Sequence, residues 1–248
     1  MHSLTIVIPT YNEVANVEAL LTGLAHAAAS NADIAFSATI VDDSSPDGTA
    51  DLARSLAPTF ESHNFHVNVL VREEKQGLGA AYIWAFTHIL AGPDRPDYIL
   101  QMDADLSHDP KYVSGFAHQI RQGADFVVAS RYIPGGGTPD WAWNRKLLSR
   151  GGNLYSRALL GSRITDYTGG FNMFRSDLLE KLNVQTVSST GYGFIIVLKY
   201  RALRAAKKIA QIPIVFLDRE HGSSKIPSNT LINNLILVLE MRFAGKHR

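Results

Sequence analysis

The stretch FSATIVDDSSPDGTADLARSLA, residues 36–57, passes from an apolar run through an acidic turn into a run with helical spacing. Apolar and β-branched residues fill its first part, and Pro46 and Gly48 mark the turn. Asp47 is placed as a cap for the helix that follows. The stretch therefore predicts a strand, a loop and a helix, with Asp42 and Asp43 where the strand ends.

The same unit repeats along the first half of the chain. Further strands are predicted at residues 4–9, 65–72, 97–105 and 124–132, and further helices at residues 16–29, 77–90 and 109–123. Regular alternation with short loops predicts an α/β fold with a Rossmann-like, mostly parallel sheet and helices on both faces. In such sheets ligands bind outside the carboxyl ends of the strands.

A second pair of acids lies where the predicted strand at 97–105 ends. In QMDADLSHDP, residues 101–110, Asp103 and Asp105 are two positions apart and come just before a predicted helix. Mg²⁺ and Mn²⁺ bind through one or two carboxylates together with the oxygens of a substrate diphosphate. The pair predicts a Mg²⁺ or Mn²⁺ site; the alternative is a turn followed by a helix cap.

Several classes of protein are excluded or disfavoured. The first strand is followed by PTYNE rather than G-x-G-x-x-G, which excludes a dinucleotide-binding dehydrogenase of that type. GLGAAY at residues 77–82 is not followed by the Lys-Ser/Thr of a P-loop. The chain has no Cys, which fits the cytosol, and no apolar run long enough to span a bilayer. No nucleic-acid partner is predicted.

Charge is distributed unevenly along the chain. The net charge is +1, but residues 1–128 hold 6 Lys and Arg against 16 Asp and Glu, whereas residues 129–248 hold 18 against 7. An acidic half suits a cation, and a basic half suits phosphates or an anionic membrane. The alternative is ordinary surface charge unevenly spread.

Taken together, the motifs resemble the inverting family 2 glycosyltransferases of GT-A fold, and among them the polyprenol-phosphate (dolichol-phosphate) mannose synthases. The resemblance covers residues 5–225. It rests on IPTYNE, VDDSSPDGTAD, GLGAAY, MDADLSHDP, ASRYIPGG, WAWNRKLLSRGGNLYSRALLG, DYTGGF and DREHGSSK, in that order.

The resemblance implies transfer of mannose from GDP-mannose to a polyprenyl phosphate. It also implies a role for individual residues of the site. Asp105, Arg131 and Arg219 are the implied catalytic residues, and Asp103, Asp105 and Ser107 surround the metal. The implied nucleotide-sugar pocket consists of Pro9, Tyr11, Glu13, Val41, Asp42, Asp43, Asp103, Ala104, Asp105, Arg131, Arg219 and Lys225.

An acceptor phosphate needs positive charge, because two anions must be held close together. Arg145 and Arg150 follow the fifth predicted strand, within a cluster that also holds Lys146 and Arg157. Arg145 and Arg150 are the predicted acceptor-phosphate ligands. The alternative is a solvated helix face.

Three positions depart from the family pattern. Members usually have GYxFQxE and TGxFR, whereas this chain reads GYGFIIVLKYR and GGFN, with Ile195, Val197 and Asn172 in place of polar or charged residues. The change is either drift on a buried helix face or the sign of a changed sugar, a changed acceptor or lost activity. Three hypotheses follow: a mannosyltransferase, a hexosyltransferase using another donor such as UDP-glucose, or a non-catalytic paralogue.

The predicted division of the chain is a GT-A domain at residues 1–228 and a helical tail at residues 229–248. The tail has an apolar run, Leu235 to Leu239, with basic residues at its end. It is predicted to attach the protein peripherally to the cytoplasmic face of a membrane. The alternatives are a helix packed on the sheet and docking onto a small membrane subunit.

Overall fold

One mixed sheet organises the computed structural model, which describes residues 1–187, 189, 191–217 and 228–244. Within these residues the sheet has the order β3-β2-β1-β4-β6-β5-β7. Its strands are β1 (His2–Thr10), β2 (Ile34–Asp42), β3 (Phe65–Val71), β4 (Tyr98–Gln101), β5 (Phe126–Ser130), β6 (Asn172–Arg175) and β7 (Ile209–Pro213).

Helices cover both faces of the sheet, as the sequence predicts. They are α1 (Val17–Ala29), α2 (Thr49–Phe60), α3 (Leu78–Ala91), α4 (Val113–Arg121), α5 (Trp143–Leu160), α6 (Ser176–Lys181), α7 (Tyr192–Ala205) and α8 (Ser228–Leu239). Short 3₁₀ turns occupy Pro110–Tyr112 and Val184–Thr186, and a π-helical turn, Glu240–Ala244, follows α8.

Two apolar clusters form the core, one on each face of the sheet. Side chains of α1, α2 and α4 pack with Leu4, Ile6 and Ile8 of β1, whereas Val7 of the same strand points to the opposite cluster with α3, α6, α7 and α8. Successive residues of a strand point to opposite faces, so β1 contributes to both. The predicted α/β architecture is confirmed.

Strand β6 is the feature that the sequence pattern did not predict. Its four residues run antiparallel to both β4 and β5, while the other neighbouring strands are parallel. Asn172 at its start is paired with Gln101 at the end of β4 and with Val128 of β5. The segment before β6 therefore crosses the carboxyl edge of the sheet, where the predicted ligand site lies.

The three departures from the family pattern are buried. Ile195 and Val197 on α7 are 2% and 0% exposed and belong to the second apolar cluster. Asn172 is also buried, and its Nδ2 donates to Gly169 O (3.1 Å) and Gln101 Oε1 (3.3 Å). These positions favour the interpretation that Ile195 and Val197 fill the core.

Helix α8 packs partly against the body of the protein. Leu237, Val238 and Met241 join the second apolar cluster, while Ile232 and Ile236 stay exposed. No helix within the described residues is both long and apolar enough to cross a bilayer. The predicted boundary at residue 228 stays a prediction.

The burial of Val197 predicts a large loss of stability on Val197→Glu. A carboxylate placed there is removed from water, so the free energy of unfolding should fall by about 3 kcal/mol or more. Chemical denaturation measures the change. Ala205→Glu, which introduces the same residue at an exposed position of the same helix, should cost no more than about 0.5 kcal/mol. Equal losses would contradict the core interpretation.

Candidate active site at the carboxyl ends of the strands

The crowded acids after β2 are explained by hydrogen bonds within the loop. Asp42 is 1% exposed and accepts from Thr10 Oγ1 (2.9 Å), Ser45 N (2.7 Å) and Ser45 Oγ (2.6 Å). Asp47 accepts from the backbone N–H groups of Val14 (3.1 Å) and Thr49 (3.0 Å). Asp42 and Asp47 therefore shape the loops around the pocket. The N-cap of α2 is Gly48, one residue later than predicted.

Asp43 forms a buried ion pair with Arg72. Arg72 Nη1 lies 2.6 Å from Asp43 Oδ1, and each side chain is 7% exposed. Burial raises the pKa of Asp43, while the positive charge of Arg72 opposes the rise. Sequence reasoning missed Arg72, although it ends the predicted strand at residues 65–72 and so lies at the same edge.

The other residues predicted for the nucleotide pocket gather at this edge. Pro9 of β1 is paired in register with Val41 of β2. Tyr11 is partly exposed, and Lys75 Nζ lies 3.7 Å from its ring centroid. Glu13 accepts a hydrogen bond from Asn16 Nδ2 (2.7 Å). The structure thus brings these residues to one side of the acidic loop, and nucleotide binding by them stays a prediction.

The loop after β4 carries the predicted metal ligands. Asp105 is 5% exposed and accepts from Ser107 N (3.1 Å) and Ser107 Oγ (2.5 Å), while the side chain of Asp103 is 28% exposed. Ala104 between them is buried. Ser107 thus orients Asp105, and whether it also binds a metal stays a prediction.

His108 supports this loop from below, and sequence reasoning missed its role. Its Nδ1 accepts the backbone N–H of Asp103 (2.9 Å), and its ring stacks on Phe171 at a centroid distance of 4.7 Å. Burial lowers the pKa of His108, although the negative charges of Asp103 and Asp105 oppose the shift. The lowered pKa favours the neutral ring. The sequence did offer one indication of this role, because His108 lies in the acidic stretch QMDADLSHDP.

The donor set fits a divalent cation that takes most of its ligands from a substrate. No group of three or more His, Cys, Asp or Glu side chains that could hold a metal is present in the described part of the chain. Two carboxylates, Asp103 and Asp105, are the number that Mg²⁺ or Mn²⁺ commonly uses when phosphate oxygens and water complete the shell. Gly170 lies beside this loop, since a Cβ atom there would be 3.6 Å from Asp103 Oδ1.

Arg131 is held by a buried carboxylate that sequence reasoning did not select. Its Nε and Nη2 donate to the two oxygens of Asp166 (2.7 and 2.8 Å), and Nη2 also donates to Thr168 Oγ1 (2.8 Å). Burial works to raise the pKa of Asp166, but the charge and hydrogen bonds of Arg131 hold it well below its usual range. The bidentate pair fixes the plane of the guanidinium.

A buried lysine completes this cluster. Lys199 of α7 is 0% exposed, and its Nζ donates to the backbone carbonyl oxygen of Asp166 (2.7 Å). Burial lowers the pKa of Lys199 to about 7, while the negative charge of Asp166 opposes the shift. Arg131, Lys199 and Asp166 together place two basic groups and one acid beneath the strand ends.

Of the predicted acceptor ligands, Arg145 lies beside this cluster. Its guanidinium carbon is 3.9 Å from the ring centroid of Trp141, and that of Arg131 is 5.3 Å from the same ring. Arg150 lies exposed, five residues further along α5. Arg219 and Lys225 lie outside the described residues, so their predicted roles stay predictions.

Comparisons with known proteins show which family the chain resembles. Residues 5–183 match the family model described as Glycosyl transferase family 2. The chain is 39% identical over 243 residues to polyprenol monophosphomannose synthase of Mycolicibacterium smegmatis, covering 97% of this chain and 87% of that protein. It is 40% identical over 247 residues to undecaprenyl-phosphate mannosyltransferase of Micrococcus luteus, covering 99% of this chain and 96% of that protein.

Two solved structures share the fold. Glucosyl-3-phosphoglycerate synthase from Mycobacterium tuberculosis, in complex with Mn²⁺, UDP and glucosyl-3-phosphoglycerate, aligns with a TM-score of 0.64 at 20% identity, over 98% of this chain and 80% of that one. Mannosyl-3-phosphoglycerate synthase from Rubrobacter xylanophilus aligns with a TM-score of 0.63 at 19% identity, over 99% and 75%. These likenesses confirm the predicted GT-A fold.

The Arg131–Asp166 pair predicts that Asp166→Asn destabilises the protein by about 3–5 kcal/mol, because it leaves a buried guanidinium without its counter-charge. Asp177→Asn removes one of the two exposed acidic partners of Arg95 and should cost about 1 kcal/mol or less. Since the pKa of Asp166 is lowered on folding, its stabilisation is complete above the ordinary aspartate pKa of 3.8 and declines as the pH falls below it. Urea unfolding from pH 7 downward measures both effects; a gap between wild type and Asp166→Asn that does not shrink would contradict this assignment.

Proposed function

The chain belongs to glycosyl transferase family 2, and from this premise we propose that it transfers mannose from GDP-mannose to the phosphate of a polyprenyl phosphate. The observation that carries the proposal is the 40% identity, over 99% of the chain, to a protein named for mannosyl transfer to undecaprenyl phosphate. The arrangement of acids and bases at the strand ends supports it.

On the donor side, this chain's residues bind and orient a sugar nucleotide. Asp103 and Asp105 would hold Mg²⁺ or Mn²⁺, which when bound neutralises charge on the departing diphosphate. Arg131, with its plane set by Asp166 and Thr168, presents a fixed positive charge beside the same edge. Arg219 and Lys225 are proposed as further donors to the phosphates.

On the acceptor side, little acid–base chemistry is needed. A phosphate monoester has a second pKa near 6, so it is largely a dianion at pH 7 and already a nucleophile. The task of the protein is to hold this anion close to the donor diphosphate. Arg145 is suited to that task, because its guanidinium and that of Arg131 both lie near the ring of Trp141. The two positive charges are therefore on the same side of the site. Arg150 is proposed as a second acceptor ligand.

A transfer assay with Asp105→Asn tests the donor site. The substitution keeps an oxygen for Ser107 but removes the negative charge, so the rate of mannosyl transfer should fall about 10²-fold or more with the fold intact. EDTA should abolish wild-type transfer, and Mg²⁺ or Mn²⁺ should restore it. Asp109→Asn is the matched control, because Asp109 caps the next 3₁₀ turn and pairs with Lys111 at the surface.

The same assay decides between the candidate activities. Radiolabelled GDP-mannose, UDP-glucose and other sugar nucleotides are supplied in turn with polyprenyl phosphate. Transfer from GDP-mannose alone supports the proposal, and transfer from UDP-glucose alone would replace it with a hexosyltransferase. Full activity in EDTA would contradict the metal assignment, and nucleotide binding without transfer from any donor would leave the non-catalytic paralogue.

A lipid acceptor requires the site to reach a membrane, and α5 and α8 form a surface suited to that contact. We call it the α5–α8 face. Tyr155 OH on α5 donates to Leu235 O on α8 (3.1 Å), which joins the two helices. Helices α5 and α8 and the π-helical turn after α8 expose the large apolar side chains Trp143, Leu147, Leu148, Leu154, Ile232, Leu235, Ile236, Leu239 and Phe243.

Charge selects an anionic lipid surface as the partner of the α5–α8 face. Helix α5 carries Arg145, Lys146, Arg150 and Arg157 and has neither Asp nor Glu. Apolar side chains bordered by basic ones are the pattern of a helix lying in a membrane interface. The proposed membrane contact thus extends beyond the predicted tail to α5, at the cytoplasmic face of a membrane. Lys246, His247 and Arg248 of the tail lie outside the described residues.

Vesicle flotation tests this surface. Wild-type protein should float with vesicles of phosphatidylcholine and phosphatidylglycerol, and less with phosphatidylcholine alone. Replacing Trp143 and Leu147 by Ser should lower binding to the anionic vesicles about tenfold or more, because two exposed apolar side chains no longer insert. Trp84→Ser, which removes a partly exposed Trp from α3, should leave flotation unchanged.

Two outcomes would contradict the α5–α8 face. If the Trp143 and Leu147 variant floats as well as wild type, the contact lies elsewhere on the protein. If the folded wild-type protein does not float with either vesicle, attachment through a small membrane subunit replaces direct lipid contact.

A further inference from the structure

The segment at residues 165–171 links the basic and acidic parts of the site. The carboxylate of Asp166 accepts from Arg131 and from the backbone N–H groups of Thr168 (3.2 Å) and Gly169 (3.0 Å). Four residues later, a Cβ atom on Gly170 would lie 3.6 Å from Asp103 Oδ1 and 3.5 Å from His108 Cε1. The segment therefore contacts Arg131 through Asp166, and at its other end Phe171 stacks on His108 (4.7 Å), whose Nδ1 accepts the backbone N–H of Asp103.

Helix α7 supports this segment from beneath. Ile195 and Lys199 are one helical turn apart, so they lie on the same side of the helix. Ile195 Cδ1 lies 3.3 Å from the position of a Cβ on Gly170, and Lys199 Nζ lies 2.7 Å from Asp166 O. Lys199 thus holds the segment at Asp166 by a hydrogen bond, and the Ile195 side chain lies close to Gly170.

A lysine at such a buried position carries a large desolvation penalty. Lys199 is 0% exposed, and its pKa, lowered by burial, reports the cost of keeping the ammonium away from water. A methionine of similar length would fill the same space at a lower desolvation cost. What methionine cannot supply is the hydrogen bond to the carbonyl oxygen of Asp166.

We propose that Lys199 is a positioning residue for mannosyl transfer, which fastens the backbone at Asp166 so that the Asp166 carboxylate aims Arg131 at the substrate phosphates. The chain of contacts is Lys199 Nζ to Asp166 O, then Asp166 Oδ1 and Oδ2 to Arg131. Lys199 itself touches no substrate, because it is buried. This inference rests on the proposed function.

Three variants on α7 test the inference. Lys199→Met removes the hydrogen bond and keeps the length, Lys199→Gln keeps a donor without the charge, and Leu198→Ala destabilises the same helix from a neighbouring buried position. Lys199→Met should lower kcat about tenfold or more, with the KM for GDP-mannose within about threefold of wild type. Lys199→Gln should recover much of the loss, and Leu198→Ala should keep wild-type kcat below its melting temperature.

Amide hydrogen exchange gives a second readout that does not depend on activity. In Lys199→Met, the Thr168 and Gly169 amides should exchange about tenfold faster or more, while Leu198→Ala leaves them near the wild-type rate relative to its own stability. In an Arg131→Ala background, Lys199→Met should not lower kcat further, because both changes act through the same guanidinium.

The outcomes separate this inference from the proposed function. A wild-type protein that transfers no mannose would overturn the proposed function, while the exchange rates still decide whether Lys199 fastens the segment. Wild-type kcat in Lys199→Met, or an equal loss in Leu198→Ala, would overturn the positioning role.

Discussion

The antiparallel insertion of β6 between β4 and β5 is the constraint on which the site depends. Because β6 runs against its neighbours, its first residue, Asn172, lies opposite Gln101 at the end of β4. The segment that leads into β6 must therefore cross the carboxyl edge between the acidic loop and Arg131. In an all-parallel sheet that segment would enter from the opposite edge, and Asp166 would lie far from Arg131.

Most of the acidic side chains at this edge are held in place by hydrogen bonds or ion pairs with neighbouring groups of the protein. Asp42 is surrounded by hydroxyl and backbone donors, Asp43 by Arg72, and Asp166 by Arg131. Asp103 is less buried than these three acids, with its side chain 28% exposed. The β4 loop, with its partly exposed Asp103, is therefore where we propose that a bound cation and its phosphates meet the protein.

Most of the fold could be predicted from sequence, and the partners within the site could not. Strands β1 to β5 could be predicted because they alternate with helices. The positions of Asp42, Asp43, Asp103 and Asp105 then followed, because ligands bind at the carboxyl ends of parallel strands. β6 has only four residues, three of them buried, and is too short for an alternating pattern to show. Asp166 and Lys199 are 33 residues apart, and a lysine in a helical run looks like a surface residue until the packing of α7 is known.

The most direct test of this account is the location of a bound cation relative to the protein. Anomalous scattering from Mn²⁺, in crystals of the full chain grown with GDP, locates the ion independently of activity. The account predicts one strong peak in contact with the carboxylates of Asp103 and Asp105 and with the diphosphate of GDP, on the side that faces Arg131. A diphosphate bound at this edge with the Mn²⁺ peak away from both carboxylates would contradict it.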